Sequence, residues 1–257
     1  MAARPGLVGS LALVVALFLS TEASADQLYR VSGKDSFQIG SRDLRSEIVY
    51  DGTQSLTIAR LGTTTRYVAH VTYTKTDAGA SARATGSFAS IMLPSGEQRD
   101  ERNGDPDFLT ILNQPFAVQL DLDTLREVAR LDSPVPFAFA SPMTGGRLSG
   151  TLRHITDGTI LGERVVGVGF EARGPMRGAI PEHSDILLSG AMRMTGAAYY
   201  TERTALLLEL EATLTISGNL ADKASSDPVT IVYQRSMRAT ATREAASTRP
   251  SASARLR

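Results

Sequence analysis

The sequence predicts an all-β protein, mostly antiparallel, built as a long-stranded curved sheet or open barrel with one short helix. Two observations favour this fold class. Apolar and polar residues alternate with a period of two over long segments such as 206–216, and only a strand places alternate side chains on opposite faces. Turn-forming pairs recur between these segments, with Asp-Gly at 51–52 and 157–158 and Ala-Gly at 78–79, as is typical of antiparallel hairpins.

The first 25 residues have the three parts of a secretory signal peptide. Arg4 supplies a positive charge, the segment 7–19 is almost wholly apolar, and residues 23–25 (Ala-Ser-Ala) match the small-residue cleavage pattern. The apolar run is too short for a membrane span, which takes about 20 residues. We therefore expect cleavage after Ala25 and a periplasmic or secreted protein that does not span the membrane.

The expected mature chain divides into four parts. We predict an N-terminal β region over 26–96, a polar loop over 97–107, a C-terminal β meander over 108–240 and a disordered basic tail over 241–257. The tail is rich in alanine, serine, threonine and arginine and has little to bury. The chain has no cysteine, which excludes disulfides and thiol chemistry.

The short helix is predicted near 124–131. Thr124 and Glu127 have the spacing of a capping box, and apolar residues recur every three to four positions. Two prolines that follow, Pro134 and Pro136, prevent a longer helix.

The C-terminal meander contains three long alternating segments, 186–200, 205–216 and 229–239. A strand of eleven residues extends about 36 Å, close to the ~40 Å diameter of a 200-residue domain. Such strands must twist and coil, so we expect a concave apolar face. The segment 205–216 also contains good helix formers, but its strict alternation favours a strand.

Two residues of 229–239 depart from the alternation. Val232 falls among the polar positions, and Arg235 falls among the apolar ones. The rest of the segment has the apolar and polar faces expected of a half-buried strand.

The signal peptide, the long meander and its apolar inner face resemble periplasmic carriers of the LolA/LolB type and related exported β-rich proteins. Those carriers bind acyl chains in the concavity of a half-barrel, so the resemblance implies a hydrophobic ligand. The alternative is that these side chains, methionines included, only fill the core. The predicted ligand-binding residues, taken from the apolar face, are Met192, Met194, Leu206, Leu208, Leu210, Leu214 and Ile216.

Motifs for catalysis are absent from the sequence. Neither G-x-S-x-G nor S-x-x-K occurs, and the adjacent residues His183, Ser184 and Asp185 cannot point at one another as a triad must. The histidines lack the spacing of zinc ligands. We predict no catalytic residue and no cofactor.

The polar loop is the best candidate for a metal site. Asp100, Asn103, Asp105 and Asp107 carry the hard oxygen ligands that calcium prefers. Their spacing departs from the EF-hand pattern and Arg102 intervenes, so the alternative is a solvated acidic loop.

We therefore expect a non-enzymatic binding or carrier protein for a hydrophobic small molecule such as an acyl chain or lipid. The alternative is an interaction or scaffold protein that docks another protein of the cell envelope, and an envelope hydrolase assembled from distant residues is third. The sequence shows no basic patch interleaved with aromatic residues, and the basic tail has no aromatic residue, so nucleic acid is not an expected partner.

Overall fold

The computed structural model describes residues 24–40, 44–61, 64–93, 98–103, 118–140, 147–180, 183–222 and 227–243. These residues form eleven strands and one helix. The strands are β1 (Ser24–Ile39), β2 (Leu44–Leu61), β3 (Thr64–Asp77), β4 (Ala80–Met92), β5 (Gln98–Asn103), β6 (Val135–Ala140), β7 (Arg147–Ile160), β8 (Glu163–Ile180), β9 (His183–Thr201), β10 (Leu207–Asp222) and β11 (Val229–Thr242). Helix α1 (Leu122–Arg130) lies between β5 and β6.

All of these strands belong to one antiparallel sheet in the order β5-β4-β3-β2-β1-β11-β10-β9-β8-β7-β6. Because β1 pairs with β11, the predicted N-terminal and C-terminal β regions share a single sheet. Among the described strands, β5 and β6 at its two ends do not pair with each other, so the curved sheet stays open. This confirms the predicted fold class, including the adjacent long strands of the C-terminal meander and the single short helix.

Two of the three predicted turns are wrong. The Asp-Gly pairs at 51–52 and 157–158 lie inside β2 and β7, whereas the Ala-Gly pair at 78–79 does connect β3 to β4. Gly52 has a different role. A Cβ atom at this position would lie 2.3 Å from the carbonyl oxygen of Thr72 on β3, so glycine is required where the two coiled strands approach each other.

The hairpin between β7 and β8 turns instead at Leu161 and Gly162. Both residues have positive φ, 53° and 80°, which is the pattern of a two-residue type I′ turn. The left-handed conformation costs an ordinary residue about 1–2 kcal/mol, and asparagine tolerates it better. The turn position is therefore set by the pairing of the two strands, and a non-ideal residue occupies it.

Replacing Leu161 with asparagine is expected to raise the free energy of unfolding by about 1 kcal/mol, since it relieves this backbone strain. Urea denaturation measures the change. The control is Leu161→Ala, which removes the same partly exposed side chain but keeps the strain. An equal gain in both variants would contradict the explanation.

The predicted helix is α1, but its cap differs from the prediction. Asp121 precedes the helix, and its Oδ1 accepts a hydrogen bond from the backbone N–H of Thr124 at 2.7 Å. Thr124 is therefore the third residue of the helix and not its cap. Leu125 and Val128 are buried and join α1 to the same core as both halves of the sheet.

Two predicted boundaries are corrected. The segment 97–107, expected to be a loop, contains the strand β5, which pairs with β4 at the edge of the sheet. An edge strand pairs on one side only, so a charged sequence is compatible with it. Strand β11 continues to Thr242, into the predicted tail.

The predicted signal peptide up to residue 23 and the tail from 244 onward lie outside the described residues. In the part of the chain that the structure describes, no helix combines the length and hydropathy needed to cross a membrane.

Candidate functional site

One face of the sheet carries most of the buried side chains, and we call it the inner face. Cross-strand pairing places its residues side by side across the sheet, as Leu214 lies between Met194 on β9 and Arg235 on β11. Buried inner-face residues of the neighbouring strands include Tyr29, Val31, Leu56, Ala69, Val71, Phe88, Val168, Phe170, Ala198, Ala212, Tyr233, Met237 and Ala239. The inner face is thus predominantly apolar across the sheet.

Five of the seven predicted ligand-binding residues lie on the inner face of β9 and β10. Met194 pairs with Leu214, and Met192 pairs with Ile216. These four residues and Leu210 are each 1% exposed or less. The structure therefore brings these five side chains together and buries them.

The other two predicted residues lie at the start of β10. Leu206 precedes the strand, and its N–H donates to the hydroxyl of Thr201 at 2.9 Å. Leu208 sits at a β-bulge, where the regular pairing shifts. As a result Leu207, the partner of Tyr200, takes the inner position in this part of β10. A bulge interrupts the period of two, and the pattern alone did not reveal it.

An ion pair is buried in the inner face. Asp35 and Arg235 are cross-strand partners on β1 and β11, and each side chain is 1% exposed. Arg235 Nε donates to Asp35 Oδ1 at 2.6 Å, and Arg235 Nη2 donates to Asp35 Oδ2 at 2.6 Å. This forked arrangement is the strong geometry of an arginine–carboxylate pair.

Two tyrosines complete this arrangement. The Tyr50 hydroxyl donates to Asp35 Oδ2 at 3.0 Å, and Arg235 Cζ lies 5.5 Å from the centre of the Tyr50 ring, within the range of a cation–π contact. Tyr233 lies two residues before Arg235 on the same face of β11. We call Asp35, Tyr50, Tyr233 and Arg235 the polar centre.

Burial and mutual interaction set the charges of the polar centre. Burial alone would lower the pKa of Arg235, but Tyr233 and Asp35 raise it above its ordinary value. Burial raises the pKa of Tyr233 well above its ordinary value, although Arg235 acts in the opposite direction. Arg235 therefore stays charged and Tyr233 stays neutral at physiological pH. The charge of Arg235 is balanced by the Asp35 carboxylate.

Three polar groups of the inner face are unsatisfied among the described residues. Arg235 Nη1 is buried and makes no hydrogen bond. The Tyr233 hydroxyl makes none of standard geometry, although Asp35 lies near enough to raise its pKa. Neither the nitrogen nor the oxygen of the Gln54 amide on β2 has a partner. An unsatisfied buried polar group costs about 1–3 kcal/mol, so each would gain from a polar ligand atom.

One end of the inner face is closed near α1. The Tyr200 hydroxyl donates to the carbonyl of Val118, and the Tyr29 hydroxyl donates to the carbonyl of Leu207 at 2.8 Å. Burial raises the pKa of Tyr67 on β3 to about 12, with Arg60 lowering it and Asp121 raising it by smaller amounts. Asp121, which caps α1, thus lies near enough to Tyr67 on β3 to act on its pKa.

A cleft of about 250 Å³ lies beside α1. Its floor includes Leu125 and Val165, and its rim includes Arg130, Arg164 and Glu202. Arg164 is already paired with Glu202 at 3.3 Å. None of the predicted ligand-binding residues lines this cleft, so it is separate from the polar centre.

The structure covers the predicted calcium ligands only in part. Asp100 and Asn103 belong to β5, whereas Asp105 and Asp107 lie outside the described residues. Over the described ranges, no three His, Cys, Asp or Glu side chains cluster at metal-binding distance. The calcium site therefore stays a prediction.

The polar centre was not predicted from the sequence. Its clearest signal is Arg235, which broke the apolar alternation of β11 and proves to be buried on the apolar side, while Val232 points outward and is 40% exposed. The partner Asp35 has no comparable signal. The two residues are 200 positions apart in the chain, and only the β1–β11 register joins them.

Comparisons with known proteins add little to this geometry. No protein-family model and no curated protein matches the sequence. Among solved structures, the chain is similar to a DUF1329 family protein from Desulfovibrio piger, with 10% identity over 82% of this chain and 85% of that chain and a TM-score of 0.15. Such a low score carries no argument about function. Of the predicted resemblance, the findings support the β-rich fold class, a curved and open antiparallel sheet, and not LolA/LolB-type carriers in particular.

Proposed function

We propose that this protein is an exported, non-enzymatic carrier that holds an acyl chain or similar hydrophobic ligand against the inner face of its sheet. The observation that carries the proposal is the inner face itself. It is apolar over most of its area, and it contains buried polar atoms that lack hydrogen-bond partners. A core that serves packing alone rarely leaves such atoms unsatisfied.

Entry of a ligand requires the inner face to open, because six of the seven predicted ligand-binding residues are almost fully buried. The open sheet supports such a movement. Among the described strands no ladder of hydrogen bonds joins β5 to β6, so these edges can separate without breaking backbone pairing. The cost is the transient exposure of apolar side chains, which a bound acyl chain would cover again.

The ligand itself is identified by purifying the protein, without detergent, from the compartment to which its own leader delivers it. Native mass spectrometry and organic extraction should then recover a bound lipid or other hydrophobic molecule. Recovery of protein alone, repeated across growth conditions, would argue against the carrier.

Contact between ligand and inner face can be tested with single tryptophans, since the natural chain has none. Leu210 faces the small partners Ala198 and Ala239, so Leu210→Trp is the inner substitution that the sheet accommodates best. Its fluorescence should be strongly quenched by an acyl ligand that carries bromine on its chain. The matched outer variant is Val232→Trp, and its fluorescence should be nearly unaffected. Equal quenching of both would indicate surface adsorption and contradict binding at the inner face.

A further inference from the structure

Taking the proposed carrier function as its basis, we propose that the polar centre recognises the head of the ligand and selects a neutral acceptor, an ester or amide carbonyl, over a free carboxylate. The apolar part of the inner face would then hold the chain.

The unpaired atoms define what the polar centre offers. Arg235 Nη1 and the Tyr233 hydroxyl are donors without partners of standard geometry. The acceptor in the centre, the Asp35 carboxylate, already receives two hydrogen bonds from Arg235 and one from Tyr50. A carbonyl oxygen has two lone pairs and can accept from Arg235 Nη1 and from the Tyr233 hydroxyl, which otherwise lies near Asp35. The centre therefore needs an acceptor more than it needs a donor.

The charge of the polar centre decides between the possible acceptors. Arg235 is neutralised by Asp35 through two contacts of 2.6 Å. A ligand carboxylate would add a second negative charge beside Asp35, and an uncompensated charge is costly in an apolar interior. A carbonyl adds no charge and satisfies the same donors. An arginine without an ion-pair partner binds a carboxylate, but Arg235 is already paired with Asp35.

The position of the polar centre suits a ligand with a head and a tail. Arg235 is flanked by Leu214, beyond which lies Met194. Ala241 lies six positions further along β11, or about 20 Å from Arg235, and it pairs with Tyr29 at the end of the inner face near α1. Buried apolar residues occupy the inner positions between Arg235 and Ala241. A carbonyl at Arg235 would thus have an apolar path in one direction for the chain.

A buried ion pair is in general a weak source of stability, which strengthens the case for a ligand. Replacing a buried ion pair by apolar residues of similar size is often neutral or stabilising. The structure nevertheless places this pair, with an extra donor left over, on a face that is otherwise apolar.

The test uses two ligands that share one brominated C18 chain, methyl dibromostearate and dibromostearate. Both are titrated at pH 8 into the full mature chain carrying Leu210→Trp, below the concentration at which either ligand aggregates. We expect the ester to bind at least about tenfold more tightly than the ionised acid, because the acid buries one extra charge. Equal binding, or tighter binding of the acid, would overturn the selection of a neutral head.

Two further variants locate the site that binds the head. In the Leu210→Trp background, the double substitution Asp35→Leu/Arg235→Met removes a donor to the head of the ligand, so it should weaken binding of the ester several-fold. The conservative change Tyr233→Phe should weaken ester binding several-fold while leaving the fold intact, because the hydroxyl makes no standard hydrogen bond. The control Gln54→Leu also removes an unsatisfied inner polar group, but outside the polar centre, and should leave ester binding unchanged. Ester binding that is unchanged by both substitutions in the centre would overturn the assignment.

The same titrations distinguish the carrier function from the choice of head group. If ester and acid quench the inner tryptophan equally, the carrier function is supported and the selection of a neutral head is wrong. If neither ligand quenches it, both the carrier function and the selection of a neutral head are wrong.

Discussion

Replacing Arg235 alone with methionine is expected to lower the free energy of unfolding by about 3–5 kcal/mol. The substitution keeps most of the side-chain volume, so the loss is electrostatic. It leaves the Asp35 carboxylate, 1% exposed, without its two hydrogen bonds from the guanidinium, and the Tyr50 hydroxyl cannot replace a counter-ion. Chemical denaturation at pH 7 measures the effect.

The matched control lies on the opposite face of the same strand. Arg238 pairs with Glu209 at 2.6 Å, but its side chain is 61% exposed. Arg238→Met should therefore cost far less stability than Arg235→Met, because an exposed ion pair is screened by solvent. Similar losses for both variants would show that Asp35 and Arg235 are not buried as a pair.

The double substitution Asp35→Leu/Arg235→Met should recover most of the stability that Arg235→Met loses. With both charges removed, no uncompensated group remains in the interior. This outcome would separate two roles of the pair, since a variant that is stable but binds the ester more weakly assigns the pair to recognition. A double variant as unstable as the single one would instead assign it to folding.

The fold class could be predicted because the alternation of apolar and polar residues extends over long segments. In β11 the alternation of buried and exposed residues begins at Ile231 and runs to Ala241, and a signal of that length outweighs the helix-forming residues in β10. Turn positions were harder. Asp-Gly favours a tight turn locally, but in β7 the pairing with β8 places the turn at Leu161 and Gly162.

The candidate site could be predicted only in its apolar part. Met194 and Leu214 lie on the inner face because a period of two already separates the faces of a strand. The polar centre depends on register between strands at opposite ends of the chain, and no local pattern specifies which residue meets Arg235. A single charged residue at an apolar position of a strand can indicate a buried charge from the sequence alone. Its partner can be identified only once the pairing of the strands in the sheet is known.

Alkaline pH is expected to unfold the protein cooperatively above pH 10. Burial raises the pKa of four tyrosines, Tyr29, Tyr67, Tyr200 and Tyr233. In the unfolded chain a tyrosine titrates near pH 10. Because the folded-state pKa is higher, the stabilisation is fully present below pH 10 and is lost as the pH rises through the folded-state value. For Tyr67 the window runs from about 10 to about 12.

The size of the loss follows from linkage. Each tyrosine removes about 1.4 kcal/mol per pH unit within its window, so Tyr29, Tyr67 and Tyr200 together remove on the order of 8 kcal/mol by pH 12, and Tyr233 adds to this loss. That is comparable to the whole stability of a typical domain, about 5–15 kcal/mol. Circular dichroism and tyrosinate absorbance, recorded together against pH, should change in a single step. Tyrosines that ionise gradually near pH 10 while the sheet persists would contradict the burial of these rings.

Substitution at Tyr67 tests the assignment. Tyr67→Phe removes one ionisable group from the interior, so the midpoint of alkaline unfolding should move to higher pH. Tyr199→Phe, at a half-buried position, controls for the loss of a hydroxyl as such. The effect also bears on the inner face, since a tyrosinate cannot donate a hydrogen bond. Ionised Tyr29 and Tyr200 would lose their bonds to the carbonyls of Leu207 and Val118, and the closed end beside α1 would lose two of the bonds that hold it.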